Sequence, residues 1–238
     1  MRCAGLLLII DNDRVVLLNA MRSYNRRVNK QLARNQDLVF LEKISIPRGK
    51  GDSDDTFDYE TAVREFIEET STFFDEAHVY RTPFRLMWRD EIVYSYDIYV
   101  ALLRGELRSI DCEPNSFYVK LRRDEGGDDA YHFSVTKRRF NEEIPRKLKI
   151  YTLDDYYYHM KRFQLKQYTS SNYLDFFNFV QFVRREYENG TAVDDFFSLK
   201  LSNSTQPQSP TPPPRSFFSL KFAHRSLKPS NAVEETTT

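Results

Sequence analysis

The chain has few cysteines, few glycines and no surplus of either charge. Its 238 residues include two cysteines, Cys3 and Cys112, and seven glycines. Cysteines so far apart form neither a Cys-x-x-Cys redox or zinc motif nor the disulfide framework of a small secreted protein, so a reducing compartment is expected. Its 35 basic residues cancel 35 acidic ones, and net charge therefore selects neither nucleic acid nor membrane as a partner. Any anion site must be local. No apolar run approaches the roughly 18 residues that a membrane helix needs. The run at 4–10 ends in Asp11-Asn12-Asp13 without a small-residue cleavage site and reads as a strand, not a signal peptide. A cytoplasmic protein is expected, neither secreted nor membrane-bound.

What is present suffices for a core: 40% of residues are hydrophobic and 15% aromatic. The runs 4–10 and 15–20, joined by a polar turn, predict a β-hairpin. A basic segment at 23–37 precedes a third short strand, Lys43-Ile44-Ser45-Ile46-Pro47. The stretches 79–88 and 92–103 are aromatic and β-branched and predict sheet. Residues 104–143 are charged, with 124–129 as an exposed loop, and 149–151 offers a last strand. Helices are predicted at 154–166 and 171–188. From 189 onward the composition becomes Pro/Ser/Thr-rich, which predicts a disordered tail over 189–238 behind a domain at 1–188 whose helical extension begins near 154. The tail repeats one pentapeptide, Phe196-Phe197-Ser198-Leu199-Lys200 and Phe217-Phe218-Ser219-Leu220-Lys221, a pair of possible docking motifs for an unidentified protein partner.

The chemistry is concentrated in Arg64-Glu65-Phe66-Ile67-Glu68-Glu69-Thr70. On a helix Glu65, Glu68 and Glu69 stand at i, i+3 and i+4, so three carboxylates share one side. They repel one another unless a cation is present, and all-oxygen donors favour Mg²⁺ or Mn²⁺ over zinc. Such ions suit phosphate chemistry. Upstream lies Ile46-Pro47-Arg48-Gly49-Lys50-Gly51, a loop whose glycines let the backbone approach a ligand and whose cations suit phosphate oxygens.

These residues resemble the box of the Nudix hydrolases, G-x5-E-x7-R-E-U-x-E-E-x-G-U, where U is aliphatic. The resemblance implies an α/β/α sandwich with a mixed sheet, here with extra C-terminal helices. It implies Glu65, Glu68 and Glu69 as metal ligands, with Glu65 and Glu69 also catalytic, and Arg64 orienting them. The first half of the box departs: Thr56 stands eight residues before Arg64 where the family has Glu. One inserted residue restores Gly49-x5-Asp55-x8-Arg64. Ser71 replaces the second box glycine.

Pro47-Arg48-Gly49-Lys50 is similar to the loop of mRNA-decapping Nudix enzymes, which implies Arg48 and Lys50 as phosphate-binding residues and capped RNA as substrate. The products would be 7-methyl-GDP and 5′-monophosphate RNA. Decapping enzymes need basic surface, here Arg22, Arg26, Arg27, Lys30, Arg34, Arg122, Arg123, Lys137, Arg138, Arg139, Arg146 and Lys147, and an aromatic slot for the cap, here Trp88, Tyr94, Tyr96 and Phe133. They also carry a further glutamate in a segment that Glu143-Ile144 and the residues up to Tyr151 resemble, which makes Glu143 the extra base or ligand and Glu142 the second choice. His132 and His159 are minor candidates. The whole chain also resembles the Nudix proteins of baculoviruses, implying host cytoplasm as location and ADP-ribose, a nucleoside-diphosphate substrate, as the alternative to RNA, with AMP and ribose 5-phosphate as products. A non-catalytic cap- or nucleotide-binding module is the alternative from another class.

Overall fold

The computed structural model describes residues 2–20, 43–89, 92–124, 129–138, 146–190 and 193–204. The hairpin at the amino terminus consists of β1 (Cys3–Ile10) and β2 (Arg14–Ala20). Its turn passes through Asp11 and Asn12 at φ 47° and 66°, a region that short polar side chains tolerate. Next come β3 (Lys43–Ser45), β4 (Arg48–Lys50) and the acidic helix α1 (Asp58–Thr70). The strands β5 (Thr72–Phe74), β6 (Glu76–Tyr80), β7 (Phe84–Arg89) and β8 (Val93–Leu103) follow. The predicted strand at 79–88 is therefore two strands, parted at Pro83, which has no N–H to give a ladder.

The charged region 104–143 holds more sheet than its composition suggests: β9 (Leu107–Ser109), β10 (Phe117–Arg123) and β11 (Ala130–Lys137). Then come β12 (Arg146–Thr152), α2 (Leu153–His159), β13 (Ser170–Ser171), α3 (Tyr173–Asn189) and β14 (Phe196–Asn203). The helix predicted at 154–166 is α-helical only to His159. It widens into a π-turn at Met160–Gln164 and tightens into a 3₁₀ turn at Leu165–Gln167. The irregular turn carries buried Gln164, whose amide accepts from Ile44 N at 2.9 Å and donates to Ile44 O at 3.0 Å, standing in for a strand beside β3.

Among the described strands the sheet runs β10-β11-β14-β6-β8-β1-β2-β12, with β3 on β2, β4 on β1, and β7 on β8 and β13. It is mixed, since β1 is parallel to β8 and β11 to β14 while the other pairs are antiparallel. Alternation along β1 sorts its residues onto two faces. Ala4, Leu6 and Leu8 pack with Ala62, Val63, Phe66 and Ile67 of α1. Leu7 and Ile9 pack with Leu153 and Tyr156 of α2 and Tyr173, Phe176 and Val180 of α3. Helices thus cover both faces of one mixed sheet, the layering of an α/β protein.

The boundary expected at 188 moves. Strand β14 lies inside the sheet between β11 and β6, with Phe197, Leu199 and Leu201 in the core beneath α1. One compact unit runs to residue 206, and the second, 207–238, lies outside the described residues together with the second pentapeptide. Polar residues at both ends of β14 (Asp194-Asp195 before it, Asn203 at its end and Ser204 after it) dilute its apolar signal in any compositional window. Among the described residues no helix is long and apolar enough to cross a membrane.

Candidate active site

Helix α1 begins where Glu60 folds its carboxylate back onto the N–H groups of Thr56 and Phe57. It ends at Ser71, which takes the left-handed conformation (φ 52°) and donates its N–H to Ile67 O at 2.9 Å. Between these ends Ala62, Val63, Phe66 and Ile67 are buried against the sheet, which leaves Glu65, Glu68 and Glu69 on the opposite flank beside β4 and β10.

Each acid is held. Glu69 Oε2 accepts the Arg48 N–H at 2.9 Å, and Glu69 Oε1 pairs with Arg146. Glu68 Oε1 accepts the Val119 N–H at 2.7 Å. Arg64 Nη1 donates to Glu65 Oε1 at 3.0 Å and to Glu68 Oε2 at 3.3 Å, and its Nη2 reaches Lys50 O at 2.7 Å. Behind Arg64 stands Asp55, 5% exposed, which also accepts from Asp52 N and Thr61 Oγ1. The inserted-residue alignment is thus the one the fold uses: Asp55 and not Thr56 pairs with Arg64. Gly49 lies so close to Glu65 that a Cβ there would fall within its carboxylate, and Gly5 admits Pro47 O and Arg48 Cβ against β1.

Burial sets the electrostatics. It pushes the Glu68 and Glu69 carboxyls up to about 7, with Glu65's charge adding to the rise and Arg64 or Arg146 opposing it. Glu65 is likewise raised, chiefly by burial. For Arg64 burial works against the charge, but the hydrogen bond to Asp55 and the charges of Glu65 and Glu68 outweigh it, and its proton is held more tightly than usual. Among the described residues no three acids, histidines or cysteines already converge as a metal-holding group; the carboxylates of Glu65, Glu68 and Glu69 are engaged by arginines and backbone N–H groups instead. The donors nonetheless fit a divalent cation: three oxygen-only side chains on one flank of one helix, crowded and desolvated, whose ionised forms a hard cation stabilises.

Trp88, Tyr94 and Tyr96 come together, as cross-strand neighbours on β7 and β8. Trp88 stacks on Tyr94 (5.1 Å, 11°) and Tyr96 (5.6 Å, 12°) and touches Tyr168 and Tyr173. Into this cluster goes the side chain of Arg48, whose guanidinium lies 4.8 Å from the Trp88 ring centre and 5.0 Å from that of Tyr96. Arg48 therefore gives its N–H to Glu69 and its cation to the aromatic cluster, while Lys50 is exposed at the end of β4. Phe133 lies elsewhere, fully buried under α1 against Phe73, with no open face for a base. Glu143 and Glu142 lie outside the described residues, as do Arg22, Arg26, Arg27, Lys30, Arg34 and Arg139. His132 pairs with Asp124 and Ser202 on β11, and His159 rests on Phe163 at the end of α2.

Two contributors carry no specific signal in the sequence. Arg146 reads as one of many surface cations, yet it meets Glu69, 77 positions earlier in the chain. The Val119 N–H is a backbone donor, supplied by whichever strand the fold brings beside α1.

Fold and acids together define an α/β protein with a buried acidic centre beside a glycine loop. The protein named ADP-ribose pyrophosphatase ORF38, of Autographa californica nuclear polyhedrosis virus, is 46% identical over 207 residues, 86% of this chain and 94% of that one. An uncharacterized 24.3 kDa protein of Orgyia pseudotsugata multicapsid polyhedrosis virus is 45% identical over 199 residues, 83% of this chain and 90% of that one. No family model matches the chain. Identity at this level across most of both chains shows that the chain belongs to the Nudix family, alongside these baculovirus proteins.

Proposed function

We propose that the chain hydrolyses ADP-ribose to AMP and ribose 5-phosphate, with Mg²⁺ or Mn²⁺ held by Glu65, Glu68 and Glu69. The observation that carries the substrate is the relative at 46% identity named ADP-ribose pyrophosphatase, matched over 94% of its length. The acidic flank of α1 supports the chemistry. A bound divalent cation supplies charge neutralisation at the phosphates and a more acidic water. The chain's own part is to place the acids: burial raises the Glu68 and Glu69 carboxyls, so a divalent cation that favours their ionised forms has buried charge to stabilise. Glu143 is proposed as a further base. Water adds to one phosphorus, the bridging P–O bond breaks, and the proton passes to an acid of the site. Arg64 fixes Glu65 and Glu68 against Asp55, and Lys50 offers its ammonium to a phosphate oxygen.

Capped RNA receives less support. That reading leaned on the Pro47-Arg48-Gly49-Lys50 loop, a basic surface, an aromatic slot and Glu143; Phe133 of the slot is buried, and the relative is named an ADP-ribose pyrophosphatase. The test is incubation of the purified protein with Mn²⁺ and either ADP-ribose or cap-labelled RNA. AMP with ribose 5-phosphate supports the proposal; 7-methyl-GDP from the RNA without AMP from ADP-ribose replaces it with decapping. No product from any nucleotide tested would leave a binding module.

A further inference from the structure

We propose that Arg146 is a phosphate-binding residue that exchanges Glu69 for the diphosphate of the substrate when the site fills. The inference rests on the reading of this site as one that cleaves a diphosphate. It begins with the difference between the two arginines among the acids. Arg64 is locked: Asp55, Lys50 O, Glu65 and Glu68 all accept from its guanidinium, and its departure would strip four acceptors at once, the Asp55 and Glu68 carboxylates among them buried. Arg146 stands at the first residue of β12, a strand at the end of the sheet order, and reaches across to Glu69 Oε1 with a side chain 14% exposed.

Both oxygens of Glu69 are engaged. Oε2 is taken by the Arg48 N–H and Oε1 by Arg146. A divalent cation held by Glu69 would compete with the Arg146 guanidinium for the same carboxylate, because two cations at one carboxylate repel. A displaced guanidinium next to a bound diphosphate has a better acceptor than water, because its planar fork matches two phosphate oxygens. Arg146 then serves in both states. It compensates the Glu69 carboxylate in the structure and would compensate phosphate charge beside a bound substrate.

Arg146→Gln and Arg146→Lys test this by two equilibrium measurements, with thermal melting to confirm that each variant is folded. Calorimetry with Mn²⁺ alone should show Arg146→Gln binding the ion about tenfold more tightly than the wild type, since the competing cation is gone. Binding of inorganic pyrophosphate at saturating Mn²⁺ should weaken about tenfold in Arg146→Gln and by less in Arg146→Lys, which keeps the charge but not the fork. If Arg146→Gln does not fold, the weaker pyrophosphate binding of Arg146→Lys carries the test. Mn²⁺ affinity unchanged or weaker in folded Arg146→Gln, or unchanged pyrophosphate affinity in the folded variants, overturns the proposal. Neither measurement needs turnover, so a wild type that fails to cleave ADP-ribose refutes the substrate reading separately.

Discussion

Two clusters flank the Pro47-Arg48-Gly49-Lys50 loop, and they are built on opposite principles. On one side is the acidic flank of α1, where three like charges are held together by Arg64, Arg146 and two backbone N–H groups. On the other is the aromatic stack of Trp88, Tyr94 and Tyr96, apolar and self-complementary, with the Arg48 guanidinium on its face. The acidic cluster is costly in itself, since it buries like charges together, and Arg64 and Arg146 offset that cost. The aromatic cluster is stabilising as it stands. Arg48 touches both, through its main chain on one side and its side chain on the other. The contrast teaches that loop position is set by packing, while reactivity is stored in charge.

Breaking the acidic side should affect turnover most. Glu69→Gln is expected to lower kcat roughly 10³-fold with the fold retained, measured by steady-state assay beside circular dichroism; a fully active variant would rule out Glu69 as ligand or base. Next comes Asp55→Ala, which leaves Arg64 buried without its main partner. A loss of about 3–5 kcal/mol in urea unfolding is expected, together with weakened Mn²⁺ binding.

On the aromatic side, Trp88→Ala removes a ring only 6% exposed and should cost about 3 kcal/mol of stability. Because it also unseats Arg48, KM for ADP-ribose should rise more than kcat falls. Equal losses in both would separate the aromatic cluster from the site. The smallest effect tests the helix exit: Ser71→Gly relieves a left-handed serine whose buried hydroxyl has no hydrogen-bond partner, and should raise stability by about 1 kcal/mol with activity unchanged. A drop in melting temperature would show that the serine contributes more than its strain costs.

Much of the acidic centre is legible in the chain because helical periodicity is local. Spacing alone put Glu65, Glu68 and Glu69 on one flank, and the box pattern drew attention to Arg64. The hairpin of β1 and β2 was readable for the same reason, from adjacent apolar runs and a turn that accepts positive φ. Legibility failed where a residue's meaning depends on distant neighbours. Phe133 has the same chemistry as any cap-stacking aromatic, and only its seat under α1 makes it core. Strand β14 looked like the start of a tail because its neighbours in sequence are polar, although its neighbours in space are β6 and β11.

By itself, then, the sequence determined the acidic face and the glycine loop, each written within a few residues, and from them a family resemblance. Only the tertiary structure decided which groups hold those acids: Arg146 on Glu69, the Val119 N–H on Glu68, and Asp55 rather than Thr56 behind Arg64. The physical reason is range. Helix spacing is a property of a short stretch of backbone, whereas the partner of a buried charge is whatever the packing of remote strands brings within hydrogen-bonding distance.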